Sequence, residues 1–258
     1  MSLPPPALEK WLPFRQSNAA ARVRLFCLPF AGGGASVYRL WEPGLPLTVE
    51  LCAVQLPGRE TRFREPAYTR LAPLVSDLAE VFEPLLDIPA VFYGHSMGAI
   101  TAFELARELC RRGKSTPARL IVGGRRAPDR PRRGPPLHAM PDAQFLAELK
   151  QFNGTRSAVL ENDDLMRVLL PVLRADFTVH ETYTYTEKAP LDCPILAVTG
   201  ADDTICPPAE LEAWRRHTRS EFEARTVPGD HFFLQSQREH LLPLIAQFIE
   251  PLASPHHL

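Results

Sequence analysis

The chain has 258 residues, a net charge of −1 at pH 7 and an apolar fraction of 45%. A chain of this length commonly forms one large α/β domain, and this apolar fraction can fill a substantial core. A net charge this close to zero provides no overall field that would favour a nucleic acid or an anionic membrane as partner. We therefore expect a single domain over residues 1–258 that binds neither.

The amino-terminal residues and the cysteines indicate a cytoplasmic protein. The opening sequence MSLPPPALEKW lacks an apolar segment of signal-peptide length, and no apolar run of about 18 residues occurs in the sequence. The five cysteines are odd in number, widely spaced and without a CxxC pair. This pattern indicates buried free thiols in a reducing compartment, and it disfavours disulfides or a zinc site.

Short strands alternate with helices along the sequence, which predicts a mostly parallel sheet covered by helices. Most of the strand candidates are near-continuous apolar runs, as strands buried on both faces require. They cover residues 24–30, 51–56, 90–93, 119–123, 195–199 and 222–227. Helical periodicity covers residues 71–86 and 97–112 and a last helix at 241–252, in which Pro243 should lie in the first turn.

The stretch between the predicted strands at 119–123 and 195–199 is too long for a simple crossover. It spans roughly 70 residues, where a βαβ crossover needs about a dozen. One helical pattern has Asp142 as its N-cap, and its apolar face comprises Phe145, Leu146, Leu149 and Phe152. A second pattern, in which Pro171 should kink the helix or begin a new one, comprises Leu165, Val168, Leu169, Val172 and Leu173. We predict that residues 125–190 form a helical lid over the carboxyl edge of the sheet, where open α/β folds bind ligands.

The sequence GHSMG at residues 94–98 has the form G-x-S-x-G and joins a predicted strand to a predicted helix. At such a junction the serine sits on a strained turn, and glycines are needed two positions away because side chains there would collide. The motif alone arises by chance in about one chain in ten of this length. An ordinary glycine-rich turn of a nucleotide-binding unit is the alternative. The flanking strand and helix, in the required order, favour Ser96 as a nucleophile.

In a hydrolase with such a turn, an acid and a base follow the serine at the ends of later strands. Asp202 and Asp203 lie just after the strand at 195–199, and His231 lies just after the strand at 222–227. We assign Asp203 as the acid rather than Asp202, because the acid commonly lies three residues beyond the glycine of this turn, here Gly200. We assign His231 as the base, because it alone among the eight histidines directly follows the last strand.

The other histidines fit structural roles. His95 adjoins Ser96 but cannot easily turn its ring onto the hydroxyl, so it should pack beside the turn. The remaining six are expected in the lid or on the surface: His138, His180, His217, His240, His256 and His257.

Two backbone N–H groups are needed to bind the oxyanion that forms during acyl transfer. Met97, directly after the nucleophile, supplies one of them in a site of this kind. The loop after the first strand has the sequence PFAGGG at 29–34, which resembles the HGGG loop of esterases without its leading histidine. We assign Ala31 in this loop as the second donor. A phosphate-binding loop is disfavoured, because no Gly-Lys-Ser/Thr sequence follows this loop at the spacing of a P-loop.

Together these motifs resemble the type II thioesterases, stand-alone enzymes that serve polyketide and nonribosomal peptide synthetases. The family includes the medium-chain thioesterase of animal fatty acid synthesis. The resemblance spans nearly the whole chain and rests on LPFAGGG at 28–34, LPGRE at 56–60, GHSMG at 94–98, RAD at 174–176, GADD at 200–203 and GDHFF at 229–233. Asp230 is a mild departure, because the family usually has a second glycine there, and it lies outside the Ser–Asp–His set.

The resemblance implies an α/β-hydrolase fold and a monomer that uses no metal and no cofactor. It also implies hydrolysis of acyl thioesters on the phosphopantetheine arm of an acyl or peptidyl carrier protein, to edit stalled chains or to release products. The lid would then shape the acyl pocket and a channel for the arm. The residues alone leave three alternatives open: a general serine carboxylesterase or lipase, an acyltransferase of the same fold, and a catalytically inactive carrier-binding protein.

One cluster of positive charge contrasts with the near-neutral chain as a whole. It begins the predicted lid and comprises Arg125, Arg126, Arg130, Arg132 and Arg133. Runs of like charge are usually solvated, so an exposed loop is the simpler interpretation. Carrier domains are often acidic, and a docking surface for them is the alternative.

Overall fold

The computed structural model describes residues 5–151 and 163–253, and within these ranges six strands form one sheet. The strands are β1 (Val23–Leu28), β2 (Val49–Ala53), β3 (Ala90–His95), β4 (Arg119–Gly123), β5 (Ile195–Gly200) and β6 (Phe222–Val227). Their order across the sheet is β2-β1-β3-β4-β5-β6, and each neighbouring pair is parallel. The predicted α/β class and each predicted strand are confirmed.

Four strands have bounds that differ from the prediction, and two of these only run on further, β3 to His95 and β5 to Gly200. β1 ends at Leu28 rather than at residue 30, because Pro29 has no N–H to continue the ladder. β2 covers Val49–Ala53 rather than 51–56, and it is the edge strand next to β1. Beyond Ala53 the chain leaves the sheet, where the N–H of Gln55 donates to the carbonyl of Trp11 at 2.8 Å.

The helices in the described ranges are α1 (Pro5–Trp11), α2 (Leu71–Phe82), α3 (Met97–Arg111), α4 (Asp142–Gln151), α5 (Asp163–Glu181), α6 (Phe233–Ser236) and α7 (Arg238–Ala253). α2 ends before residue 86 and continues as a 3₁₀ turn, because Pro84 has no N–H for an α-helical bond. α7 begins earlier than expected, so Pro243 lies inside the helix and not in its first turn. Pro243 is exposed, so water can solvate the carbonyl that it leaves without a helical partner.

The segment between β4 and β5 contains α4 and α5, with two differences from the prediction. α4 begins at Asp142, so this residue lies in the helix and is not its N-cap, and Phe152 lies outside the described residues. α5 is continuous through Pro171, which neither ends nor restarts it, because Pro171 lies on an exposed face. Two of the five residues of the predicted apolar face are buried, Val172 and Leu173, whereas Leu165 and Val168 are exposed. The role of this segment as a lid stays a prediction.

Helices cover both faces of the sheet and hold its strands in place. On one face α2 and α3 pack against the strands, where the ring of Phe26 on β1 stacks on Phe82 with centroids 4.2 Å apart. On the other face α7 covers a cluster that includes Tyr38, Trp41 and Tyr93. Because all six strands are parallel, the loops that follow their carboxyl ends meet at one edge. That edge carries the candidate site.

Four of the five cysteines are buried free thiols, as predicted: Cys27, Cys52, Cys193 and Cys206. Cys110 is free but exposed, because it lies on the solvent side of α3. Among the helices of the described residues, none combines the length and the apolarity needed to cross a membrane.

Candidate active site

Ser96 occupies the sharp junction between β3 and α3. Its φ of +53° and ψ of −109° place a non-glycine residue in a strained region of backbone conformation. Its N–H donates to the carbonyl of Gly123 on β4 at 2.8 Å. A Cβ on Gly94 would overlap the carbonyl of Gly98, and a Cβ on Gly98 would overlap the carbonyl of Leu28. The glycines of the motif are therefore required by packing, as the motif predicted.

Asp203 and His231 are in direct contact. Both are buried, and the Nδ1–H of His231 donates to Asp203 Oδ2 at 2.8 Å. The other oxygen of Asp203 accepts from the N–H groups of Ile205 and Cys206 at 2.8 and 2.9 Å. Burial raises the pKa of Asp203, but these hydrogen bonds outweigh burial and hold the pKa below its ordinary value. A charged Asp203 fixes the tautomer of His231 that leaves Nε2 free to accept a proton.

The side chain of Asp202, the alternative acid, faces solvent. Asp202 is exposed, and its backbone N–H donates to the carbonyl of Gly229 at 3.0 Å. That bond joins the turn after β5 to the turn before His231. A Cβ on Gly200 would overlap the carbonyl of Gly229, so the close approach of the two turns also needs a glycine. The contact with His231 belongs to Asp203.

Ser96, His231 and Ala31 line one cavity of about 500 Å³. Its opposite side is formed by the segment between β4 and β5, including Leu149, Leu173, Phe177 and His180. Met97 is the first residue of α3, where N–H groups have no partner within the helix, and its side chain is buried in the core. These positions suit Ala31 and Met97 as oxyanion donors, and their assignment stays a prediction.

His95 has a role that sequence reasoning did not identify. It is fully buried, and its Nε2–H donates to the backbone carbonyl of His231 at 2.8 Å. The hydroxyl of Tyr93 donates to Nδ1 of His95 at 3.2 Å. Burial and the neighbouring His231 lower the pKa of His95 to about 3, so its ring is neutral at ordinary pH. His95 thus ties the loop of His231 to the end of β3, directly before Ser96.

A buried ion pair connects α5 to the glycine-rich loop. Asp176 accepts two hydrogen bonds from the guanidinium of Arg59 and one from the N–H of Gly32 at 2.7 Å. Arg59 also donates to the carbonyl of Gly33 at 3.2 Å. We call these contacts the Arg59–Asp176 clamp. Both residues belong to motifs of the family resemblance, which was the available signal, but nothing in the sequence paired them.

One of the remaining histidines, His217, differs from the surface or lid position expected for it. His217 is buried beside Phe103 and Trp214, and its ring contacts Asp129 at 2.9 Å. His180 belongs to α5, within the predicted lid segment, and lines the cavity. His256 and His257 lie outside the described residues. Within the described residues, no group of three or more histidine, cysteine or acidic side chains is arranged to hold a metal ion.

Comparison with known proteins identifies the family. A model of the thioesterase domain matches residues 23–250. The chain belongs to the thioesterase family. This membership confirms the predicted resemblance and the α/β-hydrolase fold, and it makes the chain a thioester hydrolase of the serine type.

Relatives and solved structures of the thioesterase family agree over nearly the whole chain. The gramicidin S biosynthesis protein GrsT of Aneurinibacillus migulanus is 42% identical, over 96% of this chain and 97% of its own. RedJ, a thioesterase from the prodiginine pathway of Streptomyces coelicolor, matches with a TM-score of 0.82 at 38% identity, over 90% of this chain and 87% of its own. ClbQ, from the colibactin NRPS/PKS pathway, matches with a TM-score of 0.84 at 32% identity, over 90% of this chain and 98% of its own.

Replacing Asp203 tests the assignment of the acid. Asp203→Asn should lower kcat by about 10⁴-fold, because an amide cannot hold His231 in the tautomer with Nε2 free. Asp202→Asn is the matched control and should leave kcat nearly unchanged, since this carboxyl is exposed. Thiol release from an acyl thioester measures both. The opposite ranking of the two variants would make Asp202 the acid.

Breaking the Arg59–Asp176 clamp should affect both stability and turnover. Asp176→Asn leaves a buried guanidinium without its counterion, which should lower the free energy of unfolding by about 3–5 kcal/mol. Release of the glycine-rich loop should also lower kcat of the folded variant by about tenfold or more, with a smaller change in KM. Denaturant unfolding and steady-state kinetics measure the two effects.

Asp164→Asn on the same helix is the control for Asp176→Asn. Asp164 contacts Arg167 at 3.1 Å, and both side chains are exposed. This variant should change stability by less than about 1 kcal/mol. A folded Asp176→Asn variant with full kcat would show that the clamp does not position the loop.

His95 should make the fold sensitive to acid. The unfolded chain binds a proton at His95 near pH 6.5 and the folded chain only near pH 3, so stability falls as the pH drops between these values. The loss from His95 should reach about 2 kcal/mol at pH 5. His95→Gln should therefore show a smaller loss between pH 7 and pH 5, measured by urea unfolding. If His95→Gln lost as much unfolding free energy between pH 7 and pH 5 as the unmodified chain, this prediction would be contradicted.

Proposed function

We propose that the chain hydrolyses acyl thioesters on the phosphopantetheine arm of acyl or peptidyl carrier proteins, in polyketide or nonribosomal peptide biosynthesis. The observation that carries this proposal is the shared cavity of Ser96 and His231, with Asp203 hydrogen-bonded to His231. The names of the relatives support the pathway, since GrsT belongs to gramicidin S biosynthesis and ClbQ to an NRPS/PKS pathway.

The first half of the reaction transfers the acyl group to Ser96. Nε2 of His231 removes the Ser96 proton, and Oγ attacks the thioester carbonyl carbon. Asp203 stabilises the imidazolium that forms, through the bond to Nδ1–H. The N–H groups of Ala31 and Met97 bind the oxyanion, and the positive end of α3 lies at the same place.

Collapse of the tetrahedral intermediate expels the pantetheine sulfur, which takes the proton from His231 and leaves as the thiol. His231 then removes a proton from water, which attacks the acyl-serine and releases the carboxylic acid. Ser96 regains its proton from His231 at the end. The chain and water supply every group in these steps, so the proposal requires no metal and no cofactor.

The setting of the activity is also part of the proposal. A monomer in the cytoplasm would meet carrier domains there, and its free thiols are compatible with a reducing compartment. Residues 125–190 would act as a lid, and the side chains that they contribute to the cavity would contact the acyl chain.

Acyl release from a panel of carriers loaded with short and long acyl groups tests the proposal. Fast release by the chain, lost in Ser96→Ala, is expected, and the preferred acyl length would separate editing from product release. Brisk cleavage of simple oxyesters without release from any carrier would indicate a carboxylesterase instead. Product formed only with an added alcohol or amine would indicate an acyltransferase. Binding of carriers without any turnover would indicate an inactive partner.

A further inference from the structure

One wall of the cavity is rich in arginine. Residues 125–135, except Asp129, line the cavity beside Ser96 and His231, and we call this segment the arginine wall. It contributes Arg125, Arg126, Arg130, Arg132 and Arg133, while the carboxylates among the lining residues are Glu148 and Glu181. The cavity therefore carries excess positive charge in a chain whose net charge is −1.

Three of the five guanidinium groups are already held by carboxylates. Arg126 and Arg133 both contact Glu210, and Arg132 contacts Glu181 at 3.2 Å. These pairs fold the segment back onto the protein. They also explain why the full basic run is not a free patch of positive charge, as a docking surface for an acidic domain would require.

Glu181 has no remaining capacity for another cation. Its Oε1 accepts from Arg132 and from the N–H of Leu137, and its Oε2 accepts from the N–H and the ring Nδ1 of His138. It therefore attracts Arg125 only at a distance. Cys206 offers no counterion either, because burial raises the pKa of its thiol to about 12.

Arg125 and Arg130 remain without a hydrogen-bonding or ion-pair partner for their guanidinium groups among residues 5–151 and 163–253. Both arginines line the cavity, and Arg125 is half-buried whereas Arg130 is exposed, which places Arg125 deeper and Arg130 nearer the mouth. The backbone of Arg125 is fixed, because its carbonyl accepts from Trp214 Nε1 at 2.7 Å. An inward-facing cation on a fixed backbone favours a ligand that accepts hydrogen bonds.

The positions of the two arginines match the chemistry of the arm. A Cβ on the preceding residue, Gly124, would lie 3.0 Å from the His231 ring, so Arg125 begins close to the reacting carbonyl. An arginine side chain adds about 7 Å of reach, whereas the phosphodiester of an extended arm lies roughly 20 Å from its sulfur. Arg125 thus reaches the amide carbonyls of the arm. The phosphodiester falls towards the mouth, where Arg130 lies.

We propose that the arginine wall binds the phosphopantetheine arm, with Arg125 donating to the carbonyl of the amide farther from the sulfur and Arg130 pairing with the phosphodiester of the arm. This proposal rests on the proposed function. It assigns the arm to one wall of the cavity and leaves the helical side, with Leu149, Leu173 and Phe177, to the acyl chain.

Three thioesters of one acyl group form a matched series for the test. Butyryl-N-acetylcysteamine has the amide nearest the sulfur, butyryl-pantetheine adds the second amide, and butyryl-phosphopantetheine adds the phosphate. Butyryl-pantetheine should have a higher kcat/KM than butyryl-N-acetylcysteamine, and Arg125→Gln should reduce this gain by about tenfold. This is the effect expected from the loss of one charge-assisted hydrogen bond. Arg130→Gln should reduce only the gain from the phosphate, by about three- to tenfold, and added salt should reduce that gain in the unmodified chain.

Arg70→Gln is the control, because Arg70 is exposed and lies outside the cavity. Binding of the same series to the Ser96→Ala variant gives a readout without turnover, so a failure of the proposed function would not hide the result. An equal effect of Arg125→Gln and Arg130→Gln on all three compounds, or no effect on any, would overturn the proposal. If Arg125→Gln rather than Arg130→Gln reduced the gain from the phosphate, the assignment of Arg125 to the amide and of Arg130 to the phosphodiester would be overturned.

Discussion

The backbone of Ser96 has a conformation that side chains adopt only at a cost of about 1–3 kcal/mol, and its surroundings hold it there. β3 lies in the interior of the sheet between β1 and β4, so the strand that leads into the junction cannot shift. The bond from Ser96 N–H to Gly123 ties the turn to β4, and α3 packs back on β3. The strain is therefore offset by ladder bonds and helix packing. As a result the hydroxyl is presented above the carboxyl edge without any movement of the chain.

The remaining groups reach that edge from distant parts of the sequence, and each is fastened by a buried polar contact. The loop of His231 is held from two sides, by Asp203 on the turn after β5 and by His95 at the end of β3. The glycine-rich loop is held by the Arg59–Asp176 clamp, which joins it to α5. Low dielectric inside the protein makes such contacts strong when satisfied and costly when broken. The same contacts thus give the fold stability and give the site its geometry.

The sequence predicted those features whose signals are local. Most strands were predictable because strands buried on both faces are nearly continuous apolar runs; β6, with exposed polar residues, is the exception. The turn of Ser96 was predictable because a side chain at Gly94 or Gly98 would overlap backbone carbonyls. The choice of Asp203 over Asp202 agrees with the observed contact to His231. Features that depend on pairing across the chain were not predictable. Arg59 and Asp176 are 117 residues apart, and the bond from His95 reaches a carbonyl 136 residues away. The prediction that Pro171 would kink or restart the helix was wrong. α5 continues because Pro171 lies on an exposed face, and that position follows from tertiary packing.

The central claim is that Ser96 is a nucleophile activated by His231, and covalent labelling tests it most directly. The chain would be incubated with a fluorophosphonate, digested and analysed by mass spectrometry, alongside Ser96→Ala and His231→Ala. We expect one adduct on the peptide that contains Ser96, absent from Ser96→Ala and formed far more slowly by His231→Ala. A chain that stays unlabelled, or that carries the adduct on another residue, would contradict the account.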